Sequence, residues 1–581
     1  MRATVENAAI ARLLGEIADL LEIRADNPFK IRAYRNAAET IAAEPARVAD
    51  LAEPALRELP GIGKDLSQRI LEIAATGDTP YRQELAAAFP PSLLELLRLQ
   101  GVGPKTVKRL FEELAVASLD QLEAAARDGR IRAMKGMGIR KEALILKAIE
   151  ERRQYAGRHL AADVADVAQQ IIASLEGVHA GAEFIAVGSL RRGVETCGDL
   201  DILAVGAPPD VMDTFTGQPD VVRVLGRGGT KSSVLLANNL QADLRLVDPA
   251  SRGAALQYFT GSKAHNIALR DRAIARGLKL NEYGLFRVDS GASVAGPSED
   301  GIYAELGLDL VPPELREDRG EVQAAERHTL PRLVTRADLR GDLHLHTTAT
   351  DGKDDIQTMA LAAREVGLEY LAITDHSKAL AMAGGLDEAG ALAHAARIRE
   401  IGGRLDGITL LAGIECDIRL DGTLDLDNDC LAALDFVVAS VHSGFSLEPE
   451  ALTARLLRAL ECPWVDALGH ATGRMLLRRE PLKFDVERVL DAAAAHGVAI
   501  EINSQVHRLD VSDIVARRAI DKGARLIISS DAHSTHEFSV LDWGIRVARR
   551  AWATPDVILN TRSLDDLRAS LRRHRGGQRP R

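Results

Sequence analysis

Beyond residue 341 the chain repeats one pattern: a short apolar run that closes on a histidine, an aspartate or a glutamate, then a stretch with helical spacing. DLHLHTTATDG (342–352) opens the series, and YLAITDH (370–376), ITLLAGIECDI (408–418), FVVASVHSG (436–444), GVAIEINSQ (497–505) and RLIISSDAH (525–533) continue it. Between them lie helical segments such as IQTMALAAREVG (356–367), PEALTARLLRALE (449–461) and VERVLDAAAAHG (486–497). Alternation of this kind means β-α units around a parallel sheet, with the strand ends gathered on one rim of a barrel. A single histidine is more often a core or surface residue than a ligand. Here nine candidate ligands recur at strand ends: His344, His346, Asp351, His376, Glu415, His442, His470, Asp531 and His533. Imidazole mixed with carboxylate suits a cluster of Mn²⁺, Zn²⁺ or Fe²⁺ serving phosphoester hydrolysis. Arg474, four residues after His470, is either a phosphate ligand or a surface arginine.

At 581 residues the chain exceeds one core, since domains run to roughly 150 residues each. Residues 1 to about 155 carry helical spacing, as in Ile10, Leu13, Leu14, Ile17 and Leu21, and residues 160 to 250 switch to short strand-like runs. Val311–Gly341 is charged, proline-bearing and poor in large apolar residues, which reads as a linker. No apolar run approaches the roughly 20 residues of a membrane span, and the amino-terminal pattern is amphipathic, so a cytoplasmic protein is expected. Cys197, Cys416, Cys430 and Cys462 are scattered without a Cys-x-x-Cys, which indicates neither a disulfide framework nor a zinc knuckle. The net charge of −11 argues against coating nucleic acid by bulk charge, yet residues 98–158 hold 14 Lys and Arg against 8 Asp and Glu. That local excess can track phosphates or form a solvated helical face. The Arg-rich end, RRHRGGQRPR (572–581), is read the same two ways.

Within the helical part, LPGIGK (59–64), LQGVGP (99–104) and MKGMGI (134–139) share the form apolar-x-Gly-apolar-Gly, and each leads into a helix. Paired glycines permit a tight turn whose amides, at the next helix start, face a phosphate. One Gly-x-Gly is weak; three, about 40 residues apart and followed by Lys64, Lys105 or Arg140, resemble helix-hairpin-helix motifs, which grip DNA backbone without reading sequence. Candidate DNA contacts are Gly61, Gly63, Lys64, Gly101, Gly103, Lys105, Gly136 and Gly138.

VGSLRRGVETCGDLDILAVG (187–206) sets two carboxylates inside an apolar strand. Strand alternation puts Asp199 and Asp201 on one side, where they repel one another unless a cation lies between them. Asp243, in QADLRLVD (241–248), is a third acid on another strand. Carboxylates with phosphate oxygens suit Mg²⁺ or Mn²⁺, and two such ions serve nucleotidyl transfer. Gly188 and Ser189 offer an amide and a hydroxyl to phosphate, and Arg192 a cation.

The string Gly188-Ser189-x-Arg191-Arg192-Gly193-x-Glu195-Thr196-x-Gly198-Asp199-x-Asp201 is similar to the nucleotidyltransferase signature of the family X DNA polymerases, the polymerase beta group. YFTGSKAHNIALR (258–270) resembles the family's nucleotide-binding segment, which implies that Tyr258, Phe259 and Gly261 line the sugar pocket, Asn266 reaches the incoming base and Arg270 faces the template strand. NPFKIRAYRNAAETI (27–41) and the first two hairpins resemble its amino-terminal helical domain and fingers. The resemblance also makes Gly198 a nucleotide contact and Asp243 the residue assisting deprotonation of the primer 3′-hydroxyl. Two departures stand out. Cys197 replaces a hydroxyl residue of some relatives. Arg69 stands where relatives with deoxyribose-phosphate lyase activity carry the Schiff-base lysine, and arginine stays protonated, leaving Lys64 as the one substitute.

The nine rim residues are similar to the complete ligand set of the PHP (polymerase and histidinol phosphatase) family, which implies a distorted β/α barrel with up to three metal ions, Glu415 bridging them. The fold expected is thus multidomain α/β: all-helical helix-hairpin-helix and fingers domains (1–85 and 86–157), an α+β nucleotidyltransferase palm (158–248), a thumb for nucleotide selection (249–312), a linker (313–337) and the PHP barrel (338–575). A family X polymerase joined to a PHP domain implies short-gap filling in DNA repair, Mn²⁺-dependent 3′–5′ exonuclease activity and abasic-site or 3′-end processing. Its partners would be gapped or nicked double-stranded DNA and dNTPs, with no membrane, in a monomer of the bacterial cytosol associated with the nucleoid. Two rival readings are a DNA-tethered small-molecule phosphoesterase of the histidinol phosphatase kind and a non-catalytic repair scaffold.

Overall fold

The computed structural model describes residues 7–44, 48–90, 92–97, 99, 102–154 and 157–571. The Arg-rich end, 572–581, lies outside the described residues. Two compact units result, Met1–Ala156 with Leu477–Arg479, and Gly157–Leu476 with Glu480–Arg581.

The described part of the first unit is helical. Asn27, Thr79 and Ser118 each accept a backbone N–H of the following turn, and Pro28 and Pro80 take the first helical position, where no N–H is needed. Ile10, Leu13, Leu14, Ile17 and Leu21 all lie buried, as their spacing predicts, against Tyr34, Ile41, Ile70 and Ile73. A second core gathers Leu93, Val107, Leu110, Leu122, Ile131 and Ile145. The three glycine hairpins close alike. The N–H groups of Ile62, Val102 and Met137 donate to Leu59, Leu99 and Met134, each at 3.1 Å, and those three apolar residues plug the cores.

In the second unit a two-stranded ribbon, β1 (His159–Leu160) with β3 (Thr196–Cys197), flanks a five-stranded sheet of β2 (Glu183–Ala186), β4 (Asp199–Val205), β5 (Val221–Arg227), β6 (Lys231–Leu236) and β7 (Gln241–Val247). The order is β2-β4-β7-β6-β5, and only β4 and β7 run parallel, with Asp201 directly opposite Asp243. Next comes an antiparallel sheet of β8 (Leu278–Asn281), β9 (Gly284–Arg287) and β10 (Ser293–Ala295), packed with the helices Lys263–Ala275 and Glu299–Glu305.

The stretch 313–337, read as a linker, is folded onto this thumb: Leu315, Val322, Ala325 and Leu333 join its core. Several of its charged residues are paired with residues outside it. Arg316 is fully buried and bonded to Glu299 at 2.5 Å, while Glu321 accepts from His265 Nδ1 at 2.6 Å, so low apolar content there signals buried ion pairs rather than a free tether.

Seven parallel strands follow in sequence order: β11 (Gly341–Asp342), β12 (Tyr370–Ile373), β13 (Thr409–Asp417), β14 (Phe436–Ser440), β15 (Ala467–Leu468), β16 (Ala499–Asn503) and β17 (Leu526–Ser529). A parallel bridge between Leu345 and Ala532 brings the first and last together. Tyr370, Ala372, Phe436, Val438 and Ile527 pack in one cluster with Leu559, Leu567 and Leu571. Alternate residues, among them Leu371, Ile373, Val437 and Ile528, face the helices. Period-two alternation with both faces apolar is what a parallel sheet clad in helices requires.

Candidate catalytic centres

The barrel strands end on the nine residues expected, and the structure brings all nine together. Glu415 is their centre. Its Oε1 lies 3.0 Å from His470 Nε2, 3.3 Å from His442 Nε2 and 3.5 Å from His344 Nε2, and its Oε2 lies 2.8 Å from His376 Nδ1. Asp531 Oδ1 lies 3.1 Å from His346 Nε2, and Asp351 lies 3.4 Å from His376 Nε2 and 3.6 Å from His533 Nε2. Among the described residues, three groups hold ligand atoms all within 4.8 Å of one another: His346, Asp351, His376 and His533; His344, His346 and Asp531; and His376, Glu415 and His442. Asp351 and His533 are the most open, at 36% and 29% side-chain exposure, whereas His344 and Glu415 are sealed.

These residues fit divalent cations on their own chemistry. His346 Nδ1 and His470 Nδ1 are buried without a hydrogen-bond partner, a costly state for a polar group that no cation satisfies. Burial alone would lower the His376 pKa, but Glu415 and Asp351 outweigh it and push the ring to about 10. Burial is likewise overcome at His442, by Glu415 and Asp417, and at His533, by Asp351 and Asp531, both raised to about 9. A pocket that draws protons this strongly draws metal ions for the same reason.

Sequence reading missed the residues behind the ligands. His344 Nδ1 donates to Glu501 Oε1 at 2.7 Å, and Asn503 Nδ2 donates to Asp531 Oδ2 at 2.9 Å. Asp375 accepts the Thr347 N–H and hydroxyl at 2.8 and 2.7 Å. Glu501 and Asn503 close the run GVAIEIN as His and Asp close its neighbours, and that was the available signal. Arg474, open between phosphate and surface roles, is buried in an ion pair with Glu195.

In the palm, Asp199 is exposed, Asp201 half-buried and Asp243 buried, across the β4–β7 pairing. Burial, then Asp199 and Asp243, push Asp201 up to about 6. Burial acts to raise Asp243 too, but Lys231, whose Nζ lies 2.6 Å from Oδ2, holds it below the usual range with Ser233 and Gln241. Gly188 has φ +66, and a Cβ there would stand 2.8 Å from Asp201 Oδ2, so only glycine lets the turn of Gly188 and Ser189 approach the acid. Arg192 donates to the Thr260 carbonyl at 2.8 Å and to Glu317 at 3.0 Å, joining that turn to the segment of Tyr258, Phe259 and Gly261. Tyr258 and Phe259 meet edge to face at 5.0 Å. Asn266 donates to the Tyr258 carbonyl at 2.7 Å and lies so near that a Cβ on Gly261 would meet its Oδ1 at 2.5 Å. Arg270 and Gly198 are exposed, and Cys197 is fully buried.

Gly63 and Gly103 cap the helices Lys64–Thr76 and Pro104–Leu114, and Gly61, Gly136 and Gly138 have φ of +76, +78 and +62. Lys64 and Lys105 stand exposed at these helix starts; Gly101 lies outside the described residues. Arg69 pairs with Glu72 at 3.0 Å and covers the Tyr81 ring. Among the described residues no helix is long and apolar enough to cross a membrane.

Comparison with known proteins agrees region by region. Family models match for a helix-hairpin-helix domain (5–79), a SAM-like helix-hairpin-helix tandem (93–151), a DNA polymerase beta palm (161–242), a DNA polymerase beta thumb (255–317) and a PHP domain (342–505). The chain is 35% identical over 97% of its length to the DNA polymerase/3′-5′ exonuclease PolX of Bacillus subtilis, covering 99% of that protein. A probable phosphatase of Caldanaerobacter subterraneus is 31% identical over 41% of this chain and 94% of its own, and one of Acetivibrio thermocellus is 33% identical over 38% and 90%.

Proposed function

Because the chain belongs to the family X DNA polymerases that carry a carboxy-terminal PHP domain, we propose that its DNA polymerase and 3′–5′ exonuclease activities serve short-gap filling in DNA repair, each run by its own centre. Gapped or nicked DNA and dNTPs are the substrates, a monomer does the work, and abasic-site or 3′-end processing falls to the barrel. What supports this reading most is the coexistence of the Asp201–Asp243 pair in the palm with the nine-residue rim of the barrel.

In the palm, Asp199, Asp201 and Asp243 hold Mg²⁺ or Mn²⁺; on the barrel rim the nine ligands hold Mn²⁺, Zn²⁺ or Fe²⁺. Bound there, such ions polarise phosphoryl oxygens and lower the pKa of water or of a hydroxyl. The chain's own residues do the rest. Lys231 keeps Asp243 ionised, and Asp243 takes the proton of the primer 3′-hydroxyl. The Gly188 turn, the Ser189 hydroxyl and Arg192 bind the triphosphate, while Tyr258, Phe259 and Gly261 fit the sugar. Asn266 and Arg270 face the base and the template. The hairpin glycines with Lys64 and Lys105 hold backbone phosphates.

In the barrel, Glu501 fixes which nitrogen of His344 faces the cluster, and Asn503 orients Asp531. Asp351 and His533, the open residues, receive the terminal phosphodiester. With arginine at position 69, Schiff-base lyase chemistry is not assigned there.

The test is a 5′-labelled primer on a one-nucleotide gapped duplex with Mn²⁺, with and without dNTPs, comparing wild type, Asp199→Ala and His344→Ala. Loss of extension alone in the first variant and of shortening alone in the second supports separate centres. Absence of both activities in wild type overturns the reading in favour of a phosphoesterase or a scaffold.

A further inference from the structure

Glu195 belongs to the palm, in the turn between Gly193 and β3, and its carbonyl accepts the Ala161 N–H at 3.0 Å. Its carboxylate nonetheless serves the barrel. Arg474 Nη1 donates to one oxygen at 3.1 Å and Nη2 to the other at 2.5 Å, in a pair with only 9% and 18% side-chain exposure.

From Arg474 two routes lead to metal ligands. The Arg474 N–H donates to Asp510 Oδ2 at 3.2 Å, while Thr472 donates its N–H and hydroxyl to Oδ1 at 3.2 and 2.8 Å. These bonds fasten the turn that starts at His470. The second route runs through Nη2, which also donates to the Leu509 carbonyl. Leu509 adjoins Asp510, whose carbonyl accepts the Asn503 N–H at 2.5 Å, and Asn503 holds Asp531.

Three residues along these routes, His470 (φ +23), Leu509 (φ +42) and Asp531 (φ +52), sit in the left-handed region. A non-glycine residue stays there only when its surroundings hold it. The guanidinium is one such holder, and among the described residues it is buried with a single carboxylate as ion-pair partner. Without Glu195 the charge is left desolvated, so Arg474 must turn toward water and release Leu509.

We propose that Glu195 is a positioning residue of the nuclease centre, acting through Arg474 on His470 and Asp531, so that the polymerase signature sets the geometry of the barrel's metal ligands. The palm thus supplies part of the support of the second active site. The inference rests on the nuclease reading above.

Its test measures Mn²⁺ affinity by calorimetry, primer shortening, primer extension and melting temperature in the full chain. Glu195→Gln should weaken Mn²⁺ binding at the barrel and slow shortening by about tenfold or more, the range seen when a ligand's supporting partner is lost. Glu195→Asp, which keeps the charge, should recover part of both. Arg474→Lys should lower Mn²⁺ affinity and shortening while extension continues at the wild-type rate. Wild-type Mn²⁺ affinity and shortening in Glu195→Gln would overturn the proposal, as would equal loss of extension and shortening with a lowered melting temperature in Arg474→Lys. If wild type shortens no DNA yet the variants still bind Mn²⁺ more weakly, the positioning role stands and the nuclease reading falls.

Discussion

Glu501 Oε1 accepts the Nδ1 proton of His344 at 2.7 Å, with both side chains completely buried. The bond directs Nε2 of His344 at the cluster, where it lies 3.5 Å from Glu415. Glu501→Gln removes the charge that favours this arrangement and can present an amide donor to a ring nitrogen. Mn²⁺ affinity at the barrel should fall by about 10–100-fold, the usual cost of losing a carboxylate behind a ligating histidine. Calorimetric titration checks it, and extension by the palm should be unchanged.

The pH dependence of the metal-free barrel follows from His376, His442 and His533. Their folded pKa values, about 10, 9 and 9, lie above the unfolded value near 6.5. The native state therefore binds more protons than the unfolded chain between these limits. The stabilisation is complete below about pH 6.5 and is lost as pH rises through 9 to 10. Chelator-treated protein should melt at progressively lower temperature from pH 7 to pH 10. Mn²⁺ uptake at pH 7.5 should release protons, detectable as a dependence of the binding enthalpy on the buffer's ionisation enthalpy. Proton-neutral uptake would show that carboxylates alone hold the ions.

Gly188→Ala should separate the two centres. Its φ of +66 is costly for alanine, by about 1–2 kcal/mol. The added methyl would stand 2.8 Å from Asp201 Oδ2 and push that carboxylate off its place. Single-turnover extension should drop by at least about tenfold, equivalent to about 1.4 kcal/mol, with shortening by the barrel retained. Equal extension by the variant would remove Asp201 from the catalytic set.

The rim of the barrel was legible because a metal site restricts residue type and because parallel β-α units place strand ends together; no pairing information was needed to put His344 beside Asp531. The Asp201–Asp243 relation was legible as two acidic strands, but the parallel register that sets them opposite comes from the sheet order. Long-range partners were not legible. Glu195 and Arg474 are 279 residues apart, and neither the signature string that holds Glu195 nor the place of Arg474 after His470 points to the other. Residues 313–337 misled for a related reason: charged composition implies solvent only when the charges lack partners, and Arg316 and Glu321 have theirs in the thumb. Lys231 went unnoticed because a lysine on a strand carries no signal until the carboxylate it meets is known.

The hairpins predict how DNA affinity responds to salt. Lys64 and Lys105 are exposed at helix starts capped alike by Gly63 and Gly103, and the proposed role gives each a backbone phosphate to hold. Neutralising one phosphate contact releases condensed counterions and contributes about 0.9 to the slope of log affinity against log salt. Lys64→Ala and Lys105→Ala should each reduce that slope by about one on a gapped duplex, measured by fluorescence anisotropy between about 50 and 200 mM salt, whatever the DNA sequence. Arg127→Ala serves as the control: its guanidinium is also exposed but bonds Glu123 at 2.7 Å on the helix Leu119–Arg127, and its slope should match wild type. Unaltered slopes in both lysine variants would mean that the glycine turns connect helices and carry no DNA.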